Sequence, residues 1–294
     1  MADYILVLDE GTTSTRAMLF ASDGVLVASA QKEITQHYPQ NGWVEHDAGE
    51  IWAKTLACAN EVIPKAGGAA MIAGIGITNQ RETVGAWDKV TGEPLTRAIV
   101  WQDRRTEPFC EELKGAGHEP FVQAKTGIVL DPYLSGTKMR WMLDNVEQVR
   151  AAGASNRLAF GTIESWFIYK LTNGAQHISD ASNASRSLLM GLGDHGFDQE
   201  LCDLFGVPIN ALPQVVDMSG ELAHTDAALF GCKIPITGLA GDQQSATIGQ
   251  ACFAPGETKA TFGTGAFVLT SQGEAIPASE NRLLGTVLMQ IAGK

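Results

Sequence analysis

Apolar residues in the first 105 positions fall into short blocks rather than at helical spacing. YILVLD (4–9), RAMLFA (16–21) and VLVASAQKEI (25–34) read as three successive strands. The second and third are joined at Ser22-Asp23-Gly24, which has the composition of a tight turn. Asp47-Ala48-Gly49-Glu50 then has the D-x-x-E form of a capping box. The segment it opens, EIWAKTLACANEVIPKAG, sets Ile51, Leu56, Ala59 and Ile63 at roughly helical spacing and predicts a helix. MIAGIGIT (71–78) is a continuous apolar run of the kind that fills a buried strand. TVGAWD (83–88) and RAIVWQ (97–102) flank Lys89–Glu93 and predict another hairpin. Three meandering strands, a helix and a buried strand make a mixed α/β sheet.

From 106 to about 230 the pattern turns mostly helical, with segments at Thr137–Asn145, Ile163–Lys170 and Gln199–Leu204 separated by Gly, Asn and Pro. Ile234–Leu239 is again an apolar strand, ending in Ala240-Gly241-Asp242, and SATIGQA continues as a helix. ETKATFGTGAFVLTS (257–271) reads as a second strand-turn-strand. Any domain boundary lies within compact sequence. Gly249–Gly256 is the best place for it, giving units 1–250 and 251–294.

The first turn does not fit an ordinary hairpin. The apolar run stops at Asp9, and six small or polar residues follow before Arg16, where hairpin loops usually use two to five. The later turn repeats the composition, with Gly263, Thr264 and Gly265 between two apolar strands. Glycine lets backbone N–H groups converge on one concavity, and Thr12, Thr13 and Ser14 add hydroxyls; such nests bind phosphate oxygens. Asp9, at the strand's end, suits a hydrated Mg²⁺, an ion that favours one or two carboxylates beside phosphate and water. Arg16 adds a fixed positive charge suited to phosphate. Neither G-x-x-x-x-G-K-[ST] nor G-x-G-x-x-G occurs, so a phosphate site here is of another kind. A long hairpin without a ligand is the competing reading.

Composition narrows the setting. The chain has 294 residues, 45% of them hydrophobic, enough for a sizeable core. Acidic residues outnumber basic ones, 33 to 21, for a net charge of −12. That balance argues against nucleic-acid or anionic-membrane surfaces, both of which select Lys and Arg. Five scattered cysteines without a C-x-x-C pair fit neither a disulfide framework nor a zinc site and point to a reducing, cytoplasmic compartment. The N-terminus lacks the basic and apolar regions of a signal peptide. No apolar run nears the ~20 residues of a membrane span. The six histidines lack metal-ligand spacing, there is no G-x-S-x-G, and Asn183-Ala184-Ser185 is discounted as a glycosylation site. The Met and Trp residues of KMRWMLDN are read as core.

LDEGTTSTRAMLF, GITNQRETVGAWDKVTGEPLTRAIVWQDRRT, SDASNASRSLL, GLAGDQQSATIGQ and FGTGAFVLTS together resemble the carbohydrate kinases of the FGGY type. The N-Q-R-E and V-W-Q-x-R-R-T blocks are the most specific, and the matching segments run from residue 4 to 294. The resemblance is strongest to the branch that phosphorylates glycerol. It implies an actin-like (ribonuclease H-like) ATPase lobe with a mixed sheet, followed by the incomplete start of a second such lobe. Each lobe opens with a phosphate-binding hairpin, and ATP and polyol meet between them.

By this resemblance Arg81, Glu82, Tyr133, Asp242 and Gln243 surround the polyol hydroxyls, while Trp101 and Phe267 pack on its carbons. Asp242 takes the role of catalytic base. Thr12, Thr13, Ser14, Arg16, Gly263, Thr264 and Gly265 hold the phosphates of ATP, and Asp9 holds Mg²⁺. Position alone also allows plainer roles. Arg81-Glu82 reads as an exposed charge pair, Asp242 as the N-cap of SATIG, kept ionised there, and Tyr133 and Trp101 as packing residues. A joint role for Arg81 and Glu82 needs a bend after Ile77-Thr78, since neighbours in a strand face opposite ways. Three departures stand out: Glu10 where the family usually has Gln, Asp103 in a usually neutral position, and Ala266 before Phe267. Strand alternation from Asp9 points Glu10 away from the phosphate turn. The open alternatives are a kinase for another small polyol or sugar such as erythritol, a non-catalytic polyol- or nucleotide-binding fragment, and an actin-like ATPase without a small substrate. A homo-oligomer also stays open.

Overall fold

The computed structural model describes residues 3–262, 265–276, 278–279 and 281–293. The three expected strands form as β1 (Tyr4–Glu10), β2 (Ser14–Ala21) and β3 (Leu26–Glu33). Their alternation buries Leu6, Leu8, Ala17 and Leu19 completely. β1 and β2 stay paired as far as Glu10 opposite Thr15. The loop proper is therefore Gly11–Thr13, an ordinary length; the strands run further into the polar stretch than their apolar residues indicate.

The short β4 (Glu45–His46) leads into α1 (Ala48–Val62). The Asp47 carboxylate accepts from the Glu50 N–H as the expected cap. The reciprocal half of a capping box does not form, because the Glu50 carboxylate is taken by Thr35 and Lys54. α1 buries Ile51, Thr55, Cys58, Ala59 and Val62 against β2 and β3. Burying an Ile51-sized side chain is worth about 1.5–3 kcal/mol, and Ile51→Ala would lose about 2–5 kcal/mol.

β5 (Ile72–Asn79) returns parallel to β1. β6 (Val84–Asp88) and β7 (Ala98–Ile99) are the expected hairpin, but they pair only at Val84 and Ile99. Four helices follow: α2 (Glu107–Gly115), α3 (Glu119–Thr126), α4 (Ser135–Asn145) and α5 (Glu147–Ala154). Only α4 was legible in the sequence pattern. β8 (Leu158–Thr162) is the main partner of β6, which explains the weak β6–β7 pairing. It runs straight into α6 (Ile163–Leu171), and β9 (Ile178–Asp180) precedes one short turn, α7 (Ala181–Ala184).

α8 (Gln199–Phe205), β10 (Gln214–Val216), β11 (Ser219–His224) and α9 (Ala227–Phe230) lead to β12 (Pro235–Gly241), which lies parallel to β5. α10 (Asp242–Gly249) follows β12 without a loop. The β13 (Thr258–Phe262) and β14 (Ala266–Thr270) hairpin forms as expected.

The main sheet has the order β11-β12-β5-β1-β2-β3, with β1, β5 and β12 parallel and the flanking strands antiparallel. One core lies between this sheet, α1 and α6. A second fills the space between the β4-β7-β6-β8 sheet and the helices α4, α5 and α8. The carboxyl ends of β1, β5 and β12 emerge side by side, the place where open α/β sheets hold ligands. No helix among the described residues is long and apolar enough to cross a membrane.

Candidate active site

β5 stops at Asn79, and the backbone then turns through Gln80-Arg81-Glu82-Thr83 before β6. Glu82 adopts φ 63°, a left-handed conformation uncommon for a residue with a side chain. This is the bend that lets Arg81 and Glu82 serve one site from adjacent positions. Both are buried, at 6% and 1% exposure, so they are not a surface charge pair. Nor do they pair with each other. Arg81 Nε donates to Asp242 Oδ1 at 3.2 Å, and Glu82 Oε1 accepts from Arg186 Nε at 2.6 Å. Burial opposes the Arg81 charge, but Glu82, Tyr133 and Asp242 outweigh it and raise its pKa.

Gly241, not Asp242, occupies the N-cap of α10. Asp242 is the first helical residue, and its Oδ1 accepts from the Gln243 N–H at 2.7 Å. Its pKa is raised: burial dominates, with Glu82 adding to it, while Arg81 and the bonds from Gln243 pull the other way. The helix terminus therefore does not hold this carboxyl low, as its sequence position indicated. Gln243 Nε2 donates to Asp242 Oδ2 at 3.2 Å, and Gln243 Oε1 accepts from Lys259 Nζ at 2.5 Å. Lys259 is buried on β13, so this bond ties the second hairpin to the first turn of α10.

Three aromatic rings enclose the space beside Arg81. Trp101 meets Tyr133 edge-on at 5.7 Å and Phe267 at 6.2 Å between ring centroids. Arg81 lies 5.9 Å from the Phe267 ring, and Arg186 stands over the Tyr133 ring at 5.2 Å. The Tyr133 hydroxyl is pushed up to about 12, chiefly by burial and then by Glu82, so it is a neutral donor and acceptor. Trp101 Nε1 donates to Thr12 Oγ1 at 2.9 Å, joining the aromatic wall to the first hairpin turn.

That turn is braced from several sides. Gly11 N–H donates to Ser14 O, Gln80 Nε2 to Gly11 O, and Gln36 Nε2 to Thr12 O. Ser14 Oγ accepts from Gln31, as Thr12 Oγ1 does from Trp101. Each hydroxyl keeps its own O–H to donate. Gly11, Thr12, Thr13, Ser14, Arg16, Gln80, Arg81, Glu82, Trp101, Tyr133, Asp242, Gln243, Thr261, Gly265 and Phe267 line one cleft of about 220 Å³. That is below the roughly 300–1,000 Å³ of drug-sized sites and suits a small ligand. A larger open hollow of about 470 Å³ beside His195–Phe197 and Ile209–Val215 has no comparable convergence of charged groups.

Asp9 does not line the cleft. Its Oδ2 lies 3.4 Å from Arg16 Nε, and its pKa is raised by burial, with Arg16 opposing and Asp242 adding. Among the described residues no three His, Cys, Asp or Glu side chains gather as a metal site, so a cation here would depend on water and ligand oxygens. Gly263 and Thr264 lie outside the described residues. Glu10 also stays out of the cleft and is fully buried, with Oε1 accepting from Gln80 and Oε2 unpartnered. Its pKa is raised well above the usual range by burial.

Sequence reasoning did not find Arg186, Lys138 or Lys259. Arg186 lies within SDASNASRSLL but carried no separate chemical signal. The other two are single lysines in segments that read as structural.

Comparison with known proteins gives this geometry a lineage. Residues 4–249 match the profile of the N-terminal domain of the FGGY family of carbohydrate kinases. A glycerol kinase of Brucella ovis is 51% identical over 294 residues, all of this chain and 59% of that protein. The crystal structure of Plasmodium falciparum glycerol kinase with ADP superposes with a TM-score of 0.93 at 35% identity, covering 98% of this chain and 58% of that one. Xylulose kinase from Rhodospirillum rubrum shares the fold, with a TM-score of 0.84 at 23% identity over 94% of this chain and 56% of its own. The chain thus spans about 59% of the length of the Brucella relative. The actin-like fold expected from the motifs is the fold observed, and the chain belongs to the FGGY family of carbohydrate kinases.

Proposed function

We propose that this chain carries the acceptor site and first phosphate turn of an ATP-dependent glycerol kinase that forms glycerol 3-phosphate. The observation that carries the reading is the single cleft in which Arg81, Glu82, Tyr133 and Asp242 converge beside the Gly11–Ser14 turn. Identity of about half to glycerol kinases along the whole chain supports it. So does the ADP complex of the Plasmodium relative, for the nucleotide.

A three-carbon polyol offers hydroxyls to both faces of such a site. Arg81 donates, Glu82 and Asp242 accept, and Tyr133 does either. Trp101 and Phe267 cover the carbons. Buried groups left unpaired by a wrong ligand penalise it heavily, which is the basis of selection. Asp242 accepts the proton of the terminal hydroxyl as that oxygen bonds to the γ-phosphorus of ATP and the bond from that phosphorus to the β,γ-bridging oxygen breaks, releasing ADP. Its raised pKa helps it retain the proton, and the bonds from Arg81 and Gln243 orient it. Loose phosphoryl-transfer transition states leave the protein mainly positioning and charge stabilisation.

The hydroxyls of Thr12, Thr13 and Ser14 and the charge of Arg16 face the phosphates from one side of the cleft, and Gly265 lines it from the second hairpin; Gly263 and Thr264, expected to add to that side, lie outside the described residues. Asp9 would hold Mg²⁺ through water rather than directly, since it does not line the cleft and faces Arg16, and the ion would supply charge neutralisation for the phosphates. Residues 1–250 form the first lobe in this reading, and 251–294 open a second.

The test is ³¹P NMR of Mg-ATP and glycerol with the chain alone and with the chain fused to the part of the Brucella relative it does not span. The fusion is expected to produce glycerol 3-phosphate. Asp242→Asn is expected to lower turnover at least 10³-fold while glycerol affinity changes less than tenfold. Near-normal turnover in that variant, or phosphate appearing only as inorganic phosphate, would overturn the assignment.

A further inference from the structure

Lys138, on the first turns of α4, is completely buried and makes no ion pair among the described residues. Its Nζ donates to the carbonyls of Pro132 at 2.9 Å, Tyr133 at 2.5 Å and Leu134 at 3.4 Å. The Tyr133 N–H donates to Asp131 Oδ1 at 2.9 Å. The backbone of Tyr133 is therefore held at both its N–H and its C=O, by two charged side chains. An unpaired ammonium in a core costs several kcal/mol relative to an apolar side chain. Its contacts are concentrated on the one loop that delivers a ring into the cleft.

We propose that Lys138 is a positioning residue for acceptor recognition. It fixes the backbone of Tyr133 so that the phenol stands at a set depth between Trp101 and Arg186. The inference rests on the glycerol reading for its consequence, but the clamp itself is a property of the free protein. Burial lowers the Lys138 pKa to about 7, opposed by Glu82, Asp103, Cys110 and Asp131. These are the charged and titratable groups facing it from the β5–β6 turn, the β7–α2 loop, α2 and the loop before α4. A neutral amine has only two protons to donate, so it cannot serve all three carbonyls. The clamp is then tightest below neutral pH and loosens above it.

Two measurements separate this role from simple structural support. In a calorimetric double-mutant cycle, Lys138→Met is expected to weaken glycerol binding about tenfold, but less than twofold in a Tyr133→Phe background. Lys138→Gln, which keeps two donors, is expected to fall between wild type and Lys138→Met. Additive effects would overturn the proposal, because Lys138 would then act on the site without Tyr133.

Hydrogen exchange of the unliganded chain needs no substrate, and so distinguishes failure of this proposal from failure of the glycerol reading. Protection factors at the Tyr133 and Leu134 amides, corrected for intrinsic exchange, are expected to drop about tenfold in Lys138→Met at pH 6.5. Wild-type values are expected to approach the variant's between pH 6.5 and 8.5. Equal protection in both proteins would overturn the clamp, and so would a wild-type profile flat with pH, an outcome that needs no variant to fold.

Discussion

Replacing Arg186 with methionine keeps most of the side chain's bulk and removes its charge. The guanidinium bonds Glu82 Oε1 at 2.6 Å, with both side chains no more than 3% exposed. It also stands over the Tyr133 ring at 5.2 Å. Removing it leaves Glu82 buried without its partner, a change that typically costs about 3–5 kcal/mol. The lost cation–π contact adds on the order of 1 kcal/mol. Since proteins of this size lose about 2 °C of Tm per kcal/mol, a drop of roughly 8–12 °C is expected at pH 7. Differential scanning calorimetry and urea unfolding at matched pH measure it. Glu82→Gln in the Arg186→Met background removes the stranded charge and is expected to recover at least about 2 kcal/mol. A loss below about 1 kcal/mol in Arg186→Met, or no recovery in the double variant, would refute the claim that this pair is a mutually dependent buried unit.

Three further outcomes are expected. His46 is fully buried and neutral, with Nε2 donating to Gln36 Oε1, and burial lowers its pKa to about 4. Between pH 6.5 and 4 the unfolded chain binds a proton there that the folded chain does not, so stability falls as pH falls. The loss from pH 7 to 5 is about 2 kcal/mol, and urea unfolding should show His46→Gln flattening that slope. Glu10 has a raised folded pKa, so the folded chain holds a proton that the unfolded chain releases above the usual carboxylate range. Its contribution to stability therefore declines as pH rises from that range. Glu10→Gln is expected to be the more stable protein at pH 8, with the difference shrinking toward pH 4 in the same assay. A Cβ at Gly241 would lie 2.6 Å from Arg81 Cγ and 2.7 Å from Cδ, so Arg81 would have to shift away from its bond to Asp242 and into the cleft it lines. Gly241→Ala is expected to cost about 1–3 kcal/mol and to weaken glycerol binding at least tenfold by calorimetry.

The strand meander, α1, β5, β12 and both Gly-Thr hairpins were legible because each is written in local periodicity and turn chemistry. α2, α3 and α5 were not, since their short amphipathic stretches are broken by Pro, Gly and small residues. The β6–β7 hairpin was only half right, because β6 takes its main partner, β8, from 70 residues further along the chain.

The site divides the same way. Glycine-rich turn chemistry pointed to Thr12–Ser14 and Arg16, which line the cleft, and to Asp9, which does not; the family resemblance added Arg81, Glu82, Trp101, Tyr133 and Asp242. The partners that fix those side chains come from far along the chain: Arg186 for Glu82, Trp101 for Thr12, Lys259 for Gln243. No local pattern signals contacts between residues so distant. Glu10 shows the limit of strand alternation, which directed it away from the cleft but said nothing of its burial against Gln80.

Calorimetric titration of this chain with glycerol, erythritol and xylulose tests the acceptor site most directly, because the side chains assigned to the polyol all lie within it. One-site binding selective for glycerol, and abolished by Arg81→Ala, is the expected result. Binding of xylulose as tight as glycerol, or glycerol heat unchanged by Arg81→Ala, would contradict the assignment of this cleft to a three-carbon polyol.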